Sequence, residues 1–413
     1  MSEYDAIVVG GGPSGSTAAA LLAERGHRVL LLEREPFPRY HIGESLIPYT
    51  WFTLDRLGVL DWLRRSANPK KYSVQFVSVT GKVSQPFYFF QTIEHECSQT
   101  WQVWRSEFDA MLLENARAKG AEVRQGVAVR DVLMDGNRAV GVLSANGDGR
   151  VEEIRGRAIV DASGRERIMT RKLGWCDRDR DLNKIAIWSY FEGAKRDPGL
   201  DEGATTVAYV PSKGWFWYIP LHSDTVSVGV VGEPSYLYRD TRDPKAIYAR
   251  EVEACAWIRE HVAGGRQCEP VRVTGEYSYH SRHIAGDGFC LVGDAFAFLD
   301  PLFSTGVFLA LKSGETAADA LHAALEVNDV TASRFDAYYE KQRHAVTSFR
   351  RLVTAFYDES FSFREFLQAY PALHPLIVDT LVGNVFTDLE PLYRALEEYR
   401  GRSSRELIGE ATA

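Results

Sequence analysis

Five cysteines serve 413 residues, and Cys97, Cys176, Cys255, Cys268 and Cys290 stand far apart with no C-x-x-C pair. A zinc framework and a disulfide-stapled secreted scaffold are thereby excluded, and a reducing cytoplasm is the expected setting. No apolar run approaches the ~20 residues a membrane span needs. Cationic residues are in the minority, 48 against 56 acidic, for a formal charge of -8. A nucleic-acid partner, whose footprint is a basic face, is not expected. Internal repeats and low-complexity tracts are missing as well. The chain enters an apolar strand within its first ten residues, so no secretory leader is expected. Hydrophobic and charged fractions of 45% and 25% are those of an ordinary globular protein. The length predicts more than one domain.

What is present begins at once. Asp5-Ala-Ile-Val-Val9 reads as a buried strand, Ser16 to Arg25 as an Ala- and Leu-rich helix, and Val29-Leu-Leu-Leu32 as a second strand ending at Glu33. Between the first two lies Gly10-Gly-Gly-Pro-Ser-Gly15, a G-x-G-x-x-G turn. Gly10 permits the tight turn, Gly12 lets backbone approach a pyrophosphate, and Gly15 lets the helix pack close to the strand. The phosphates then sit at the positive end of the helix, and Glu33 is placed to accept bonds from a ribose. The unit predicts an adenine dinucleotide and leaves FAD and NAD both open.

Two later strands end in similar turns, Ala158-Ile-Val-Asp-Ala-Ser-Gly164 and Gly288-Phe-Cys-Leu-Val-Gly-Asp294. Glycine fingerprint, D-A-S-G turn and Gly-Asp motif, in that order, resemble the flavoprotein monooxygenase superfamily. The resemblance implies FAD as cofactor, with Asp294 bonding the ribityl and pyrophosphate region and Arg105 reaching the FAD from a helix start. The fold class it implies is α/β plus α+β. A doubly wound, Rossmann-like FAD-binding domain is assembled from 1–75, 105–172 and 283–328. Period-two alternation, as in Tyr72-Ser-Val-Gln-Phe-Val-Ser-Val79 and Thr225-Val-Ser-Val-Gly-Val-Val231, predicts an inserted, mainly antiparallel substrate domain over 76–104 and 173–282. A helical C-terminal region is expected over 329–413.

Four segments carry chemistry. His41-Ile-Gly-Glu-Ser-Leu-Ile-Pro48 is expected beside the flavin ring, where Gly43 allows close approach and Ser45 bonds its edge; the alternative is that Ser45 caps a helix. Asp300-Pro301 breaks the chain, and Ser304-Thr305-Gly306 opens a long helix whose free amides make an anion site. That anion is either a reduced flavin or a halide, unless Ser304 or Thr305 simply caps the helix. Pro69-Lys-Lys-Tyr72 presents two adjacent lysines, Lys70 and Lys71, which by themselves read as a solvated surface or, if one is buried, as a functional amine. Burial lowers a lysine's pKa and frees the neutral amine.

The fourth segment, Trp215-Phe-Trp217-Tyr-Ile219-Pro220, matches W-x-W-x-I-P at every fixed position. This motif resembles the flavin-dependent halogenases, and Phe303 points to their phenol- and pyrrole-type branch. The resemblance implies catalytic roles for Lys71, Trp215 and Trp217. Reduced FAD from a separate flavin reductase takes up oxygen to give a C4a-hydroperoxide. Chloride or bromide held at Ser304, Thr305 and Gly306 then yields hypohalous acid. Trp215 and Trp217 bar the organic substrate from the flavin, and the oxidised halogen reaches Lys71 beside a small electron-rich aromatic, free or held on a carrier protein. Tryptophan-type members carry a glutamate just before S-T-G, and here that place is Phe303, which implies a phenol or pyrrole substrate. A hydroxylase or other oxidoreductase of the same fold, and a flavin-binding protein without activity, are the competing readings.

Overall fold

The computed structural model describes residues 4–212 and 214–410, side chains at 276, 277 and 401–410 excepted. The expected domain spans reach beyond them at 1–3, 213 and 411–413, which lie outside the described residues. Strand β1 (Tyr4–Val9), helix α1 (Pro13–Glu24) and strand β2 (Val29–Glu33) form the predicted βαβ unit. The β1 strand pairs in parallel with β2 on one side and with Val151–Asp161 on the other. Phe289–Leu291 and Glu122–Gln125 extend the parallel sheet outward. An antiparallel meander, Val127–Asp135 and Arg138–Asn146, joins the start of Val151–Asp161.

Small residues set how tightly this layer closes. Every residue of α1 from Pro13 to Ala23 is buried, and the helix packs between Arg105–Ala118 and Gly306–Glu326. A Cβ at Gly15 would lie 2.0 Å from the Gly10 carbonyl oxygen, so only glycine lets helix and strand meet there.

The second sheet is antiparallel but for one pair. Its order is Ala297–Phe298, Arg272–Ser281, Cys176–Glu192, Thr225–Gly232, Trp215–Pro220, Thr205–Tyr209, Ser73–Val77, Phe87–Tyr88. The parallel pair is Ser73–Val77 with Thr205–Tyr209. That strand straddles the expected boundary at 75: pairing with Thr205–Tyr209 fixes its place, which local alternation cannot reveal. Helices Asp336–Tyr357, Phe363–Ala369, His374–Val382 and Glu390–Glu410 follow. Among the described residues, no helix is long and apolar enough to cross a membrane.

Alternation in Trp215–Pro220 serves two cores at once. Phe216 and Tyr218 pack with Ile247, Tyr248, Trp257 and Ile258 of the helices Pro244–Ala254 and Ala256–Val262. Trp215, Trp217 and Ile219 face the other way, with Trp188 and Val207. The Trp217 indole lies over Gly229 on the neighbouring strand, where a Cβ would fall 2.2 Å from Trp217 Cζ2 and 2.5 Å from Trp188 Cβ. Gly229→Ala therefore overpacks the indole face and is expected to cost about 1–3 kcal/mol. A lowered urea midpoint measures it, and an unchanged midpoint contradicts this packing.

Candidate active site

A single cavity of about 1150 Å³ runs from the glycine turn to the indole face. That exceeds the usual range for small-ligand pockets, roughly 300–1,000 Å³. At one end, Gly10 turns the chain with φ +107°, and Gly12 faces the cavity with nothing nearer its Cβ position than Arg39 Nη2 at 3.6 Å. No side chain caps α1, so its leading amides are free for an anion. Glu33 is buried at the end of β2 and lines the cavity; its Oε2 accepts from the Gly11 amide at 2.7 Å and its Oε1 from Glu35 at 2.9 Å. Gly15 stands behind this lining, packing helix to strand.

Two arginines shape the middle. The Arg105 guanidinium is buried and donates twice to Asp109, at 2.8 and 2.9 Å, and once to the Ile42 carbonyl at 2.7 Å. It thereby holds the Ile42–Gly43 turn against the cavity. Arg39 stacks on Phe37 at 4.6 Å, and its buried Nη1 has no hydrogen-bond partner among the described residues, although Asp109 lies 3.3 Å away. A buried cation with an unmet donor beside an uncapped helix start suits a pyrophosphate. Asp294 also lines the cavity; burial pushes its carboxyl up to about 6, with Arg165 and Arg105 pulling the other way. Glycine turn, buried acid and unmet arginine donor together fit an adenine dinucleotide.

At the far end stand three indoles, Trp188, Trp217 and Trp215, with neighbouring ring centres 6.2 Å apart. Trp217 Nε1 donates to Ser227 Oγ at 3.1 Å. Trp215 Nε1 donates to the Tyr357 hydroxyl at 2.8 Å, which in turn donates to Asp300 Oδ2 at 2.8 Å. Asp300 Oδ1 accepts the Leu302 amide at 3.0 Å, closing the turn that leads to Ser304. Ser304 adopts φ +57°, and Gly306 begins the helix Gly306–Glu326. Ser304 and Gly306 line the cavity, whereas Thr305 is buried behind them. Thr305 stands at the N-cap without a side-chain bond, so the helix opens on free amides. Phe303 packs against Phe356 of the helix Asp336–Tyr357.

The two lysines separate cleanly. Lys70 is exposed; Lys71, one residue on in a short pairing with Thr100–Trp101, is 1% exposed. Lys71 Nζ donates to Ser45 Oγ at 2.8 Å and to the Leu46 carbonyl at 3.0 Å, with the Phe89 ring 5.6 Å away. Ser45 caps no helix; the next one starts at Thr50. Its hydroxyl bridges Lys71 and Thr205 Oγ1, at 2.8 Å, and Ser45 and Thr205 both line the cavity. Lys71 does not line it, and stands one hydrogen bond behind that wall. No carboxylate among the described residues pairs with its amine, which burial pushes down to about 7.

Sequence reasoning missed Arg39, Glu44, Trp188 and Tyr357. Glu44 lies inside the segment already singled out, and its flanking glycine and serine drew the attention instead. Trp188 and Tyr357 carry no local motif; strand pairing and helix docking bring them in.

The buried amine has a signature in stability. Unfolded Lys71 titrates at its ordinary ~10.4, the folded amine at about 7. The fold therefore loses stability as pH falls between those values and loses no more below them. Lys71→Met removes that loss, so its urea midpoint is expected to exceed the wild type's at neutral pH, with the gap closing toward pH ~10. A gap that does not vary with pH contradicts the burial of a neutral amine.

The sequence profile of the tryptophan halogenase family matches residues 5–102 and 79–364. Similar curated proteins include a 1H-pyrrole-2-carbonyl-(peptidyl-carrier protein) chlorinase of Pseudomonas fluorescens, 31% identical over 93% of this chain and 90% of its own. A tryptophan 2-halogenase of Chondromyces crocatus is 35% identical over 86% of this chain and 68% of its own. Among solved structures, the flavin-dependent brominase Bmp2 superposes with a TM-score of 0.87 at 28% identity, over 98% of this chain and 99% of that one. The myxobacterial chondrochloren halogenase CndH, an FAD-dependent enzyme, superposes at 0.80 with 33% identity over 97% and 96%.

Proposed function

Because the chain belongs to the tryptophan halogenase family and is a flavin-dependent halogenase, we propose that it halogenates an electron-rich phenol or pyrrole beside Lys71. Reduced FAD, held along the cavity, would supply two electrons to dioxygen, and the halide would lose the other two as it becomes hypohalous acid. The chain's own residues hold, separate and orient. Gly10, Gly12 and the free amides of α1 take the pyrophosphate with Arg39, and Glu33 takes the ribose. Asp294 would bond the ribityl region, and Arg105 holds Gly43 and its loop where they would meet the ring. The uncapped amides at Gly306, with Ser304, attract chloride or bromide through the helix dipole.

Trp215 and Trp217 fill the space an organic ring would need to reach the cofactor. Lys71 then meets the small oxidised halogen through the Ser45 wall. With its amine titrating near neutrality, a sizeable neutral fraction is available to take up halogen as a haloamine, while the protonated fraction can hydrogen-bond and orient hypohalous acid. The observation that carries this reading is the amine itself: buried, without a carboxylate, and one hydroxyl away from a cavity walled by the paired indoles.

The substrate class rests on Phe303. An indole halogenation is helped by a carboxylate that stabilises the cationic intermediate, whereas a phenol or pyrrole carries that charge on its own heteroatom. Relatives from Pseudomonas fluorescens and Pseudoalteromonas luteoviolacea act on pyrrole-2-carbonyl groups held by a carrier protein, which favours an acyl-carrier substrate here. The tryptophan 2-halogenase relative supports free tryptophan as a second reading. A separate flavin reductase is taken as the electron source.

Wild-type protein given reduced FAD, oxygen and bromide or chloride is expected to halogenate pyrrole-2-carbonyl carrier protein in preference to free tryptophan, read by mass. Lys71→Ala is expected to keep FAD binding and hypohalous acid release to a chemical trap while losing about 10²-fold or more of halogenated product. Product formation undiminished in Lys71→Ala contradicts the role of this amine, and preference for tryptophan selects the second reading.

A further inference from the structure

Glu44 is a carboxyl group to which the function above gives no task. It follows Gly43 in the loop that Arg105 holds, is 1% exposed, and borders the cavity. Its Oε2 is buried without a hydrogen-bond partner among the described residues. Its Oε1 accepts from the Tyr190 hydroxyl at 2.6 Å. Tyr190 Oη lies 3.0 Å from Tyr40 Oη, and Tyr40 is 41% exposed. Three groups thus form an unbroken line from Tyr40, a partly exposed residue bordering the cavity, to the buried Glu44 in its wall.

The line has a direction. Trp188 Nε1 donates to Tyr40 Oη at 2.7 Å. The single Tyr190 hydrogen is committed to Glu44, so in the Tyr40–Tyr190 pair Tyr40 is the donor. The Tyr190 hydrogen in turn points at Glu44. Both hydroxyl hydrogens are aimed inward, the polarity that inward proton hopping requires.

Halide oxidation consumes a proton: FADH2 + O2 + X⁻ + H⁺ gives FAD + HOX + H2O. Two electrons leave the cofactor, the O–O bond breaks, one oxygen bonds the halogen and the other leaves as water. We propose that Glu44 delivers this proton to the oxygen that leaves as water, and that Tyr40 and Tyr190 reload it from solvent. The Glu44 O–H bond breaks toward the cavity. Tyr190 then passes its proton to Glu44 Oε1, Tyr40 passes its own to Tyr190, water restores Tyr40, and rotation of the carboxyl and both hydroxyls returns the O–H to the cavity side. The proposal rests on the halide-oxidation half of the reaction and is independent of Lys71.

Charge and burial agree with this assignment. Burial pushes the Glu44 carboxyl up to about 7, against the hydrogen bond from Tyr190, the Ser227 hydroxyl beyond close bonding distance, and the charge of Arg105. Arg105 is the cation that faces it, shared with Asp109 and Asp294. Burial raises both phenols, so Tyr40 and Tyr190 pass protons without standing ionised. The Arg272 guanidinium, 3.8 Å from the Tyr40 ring centre, covers the exposed end.

Infrared difference spectra of the FAD-loaded protein, recorded without halide across a pH series, read the carboxyl directly. A protonated-carboxyl band titrating near neutrality is expected in the wild type, absent in Glu44→Gln, and displaced in Tyr190→Phe. With a hypohalite trap, Glu44→Gln is expected to lose about 10²-fold in rate with FAD affinity retained. The wild-type rate falls as pH rises through about 7, where Glu44 loses its proton; that limb disappears in Glu44→Gln. Tyr190→Phe and Tyr40→Phe are expected to slow hypohalite formation by a smaller factor and to share one altered solvent-isotope response. No carboxyl band titrating near neutrality, or a Glu44→Gln rate equal to wild type, overturns the proposal. Unchanged rate and isotope response in both phenylalanine variants overturns the relay.

Discussion

One strand, Trp215–Pro220, has to satisfy two cores at once, and much else is arranged around that demand. Its even-numbered rings bury themselves among the helices behind the second sheet, and its odd-numbered rings close the front of the nucleotide cavity. A slip of one residue would exchange the two sets and place Phe216 and Tyr218 over the cofactor. The register with Thr225–Gly232 opposes that slip, since Trp217 pairs with Gly229, where an indole can lie flat on bare backbone. The indole barrier across the end of the cavity is therefore a property of sheet register as much as of two tryptophans.

Around that barrier the protein holds ionisable groups with unusually little compensation. Lys71 has two neutral oxygen partners and no carboxylate among the described residues, Glu44 has one hydroxyl and an unpaired oxygen, and Asp294 sits between burial and two arginines. Each arrangement works against the stability of the fold, and each moves a proton equilibrium toward neutrality, where a group can both give and take a proton. Arg105 is the counterexample. Its bidentate bond to Asp109 keeps it charged and fixed, and that rigidity positions the loop bearing Gly43, Glu44 and Ser45.

The nucleotide unit was legible from residues alone because its chemistry is local: a turn, a helix start and an acid within about thirty positions. The W-x-W-x-I-P strand was legible for the same reason. Lys71 could be favoured over Lys70 by motif, but its burial depends on pairing with Thr100–Trp101, thirty residues away. Ser45 offered flavin contact or helix capping to the sequence, and the structure gives it to Lys71 and Thr205. Thr305 was grouped with Ser304 and Gly306, yet a helix start turns neighbouring residues in different directions, and it faces the core. The Glu44–Tyr190–Tyr40 line joins positions about 150 residues apart by strand placement, and no spacing rule announces it.

The bond from Trp215 through Tyr357 to Asp300 ties three distant parts of the chain: an indole of the barrier, the last residue of the helix Asp336–Tyr357, and the turn before the anion-facing helix start. Everything beyond Tyr357 lies outside that tie. The helices that follow reach the cavity layer by another route, where the Val382 carbonyl accepts the Tyr49 amide at 3.0 Å. One phenol oxygen thus couples the seat of the Trp215 indole to the pitch of the Asp300 turn, so that neither can shift without the other feeling it.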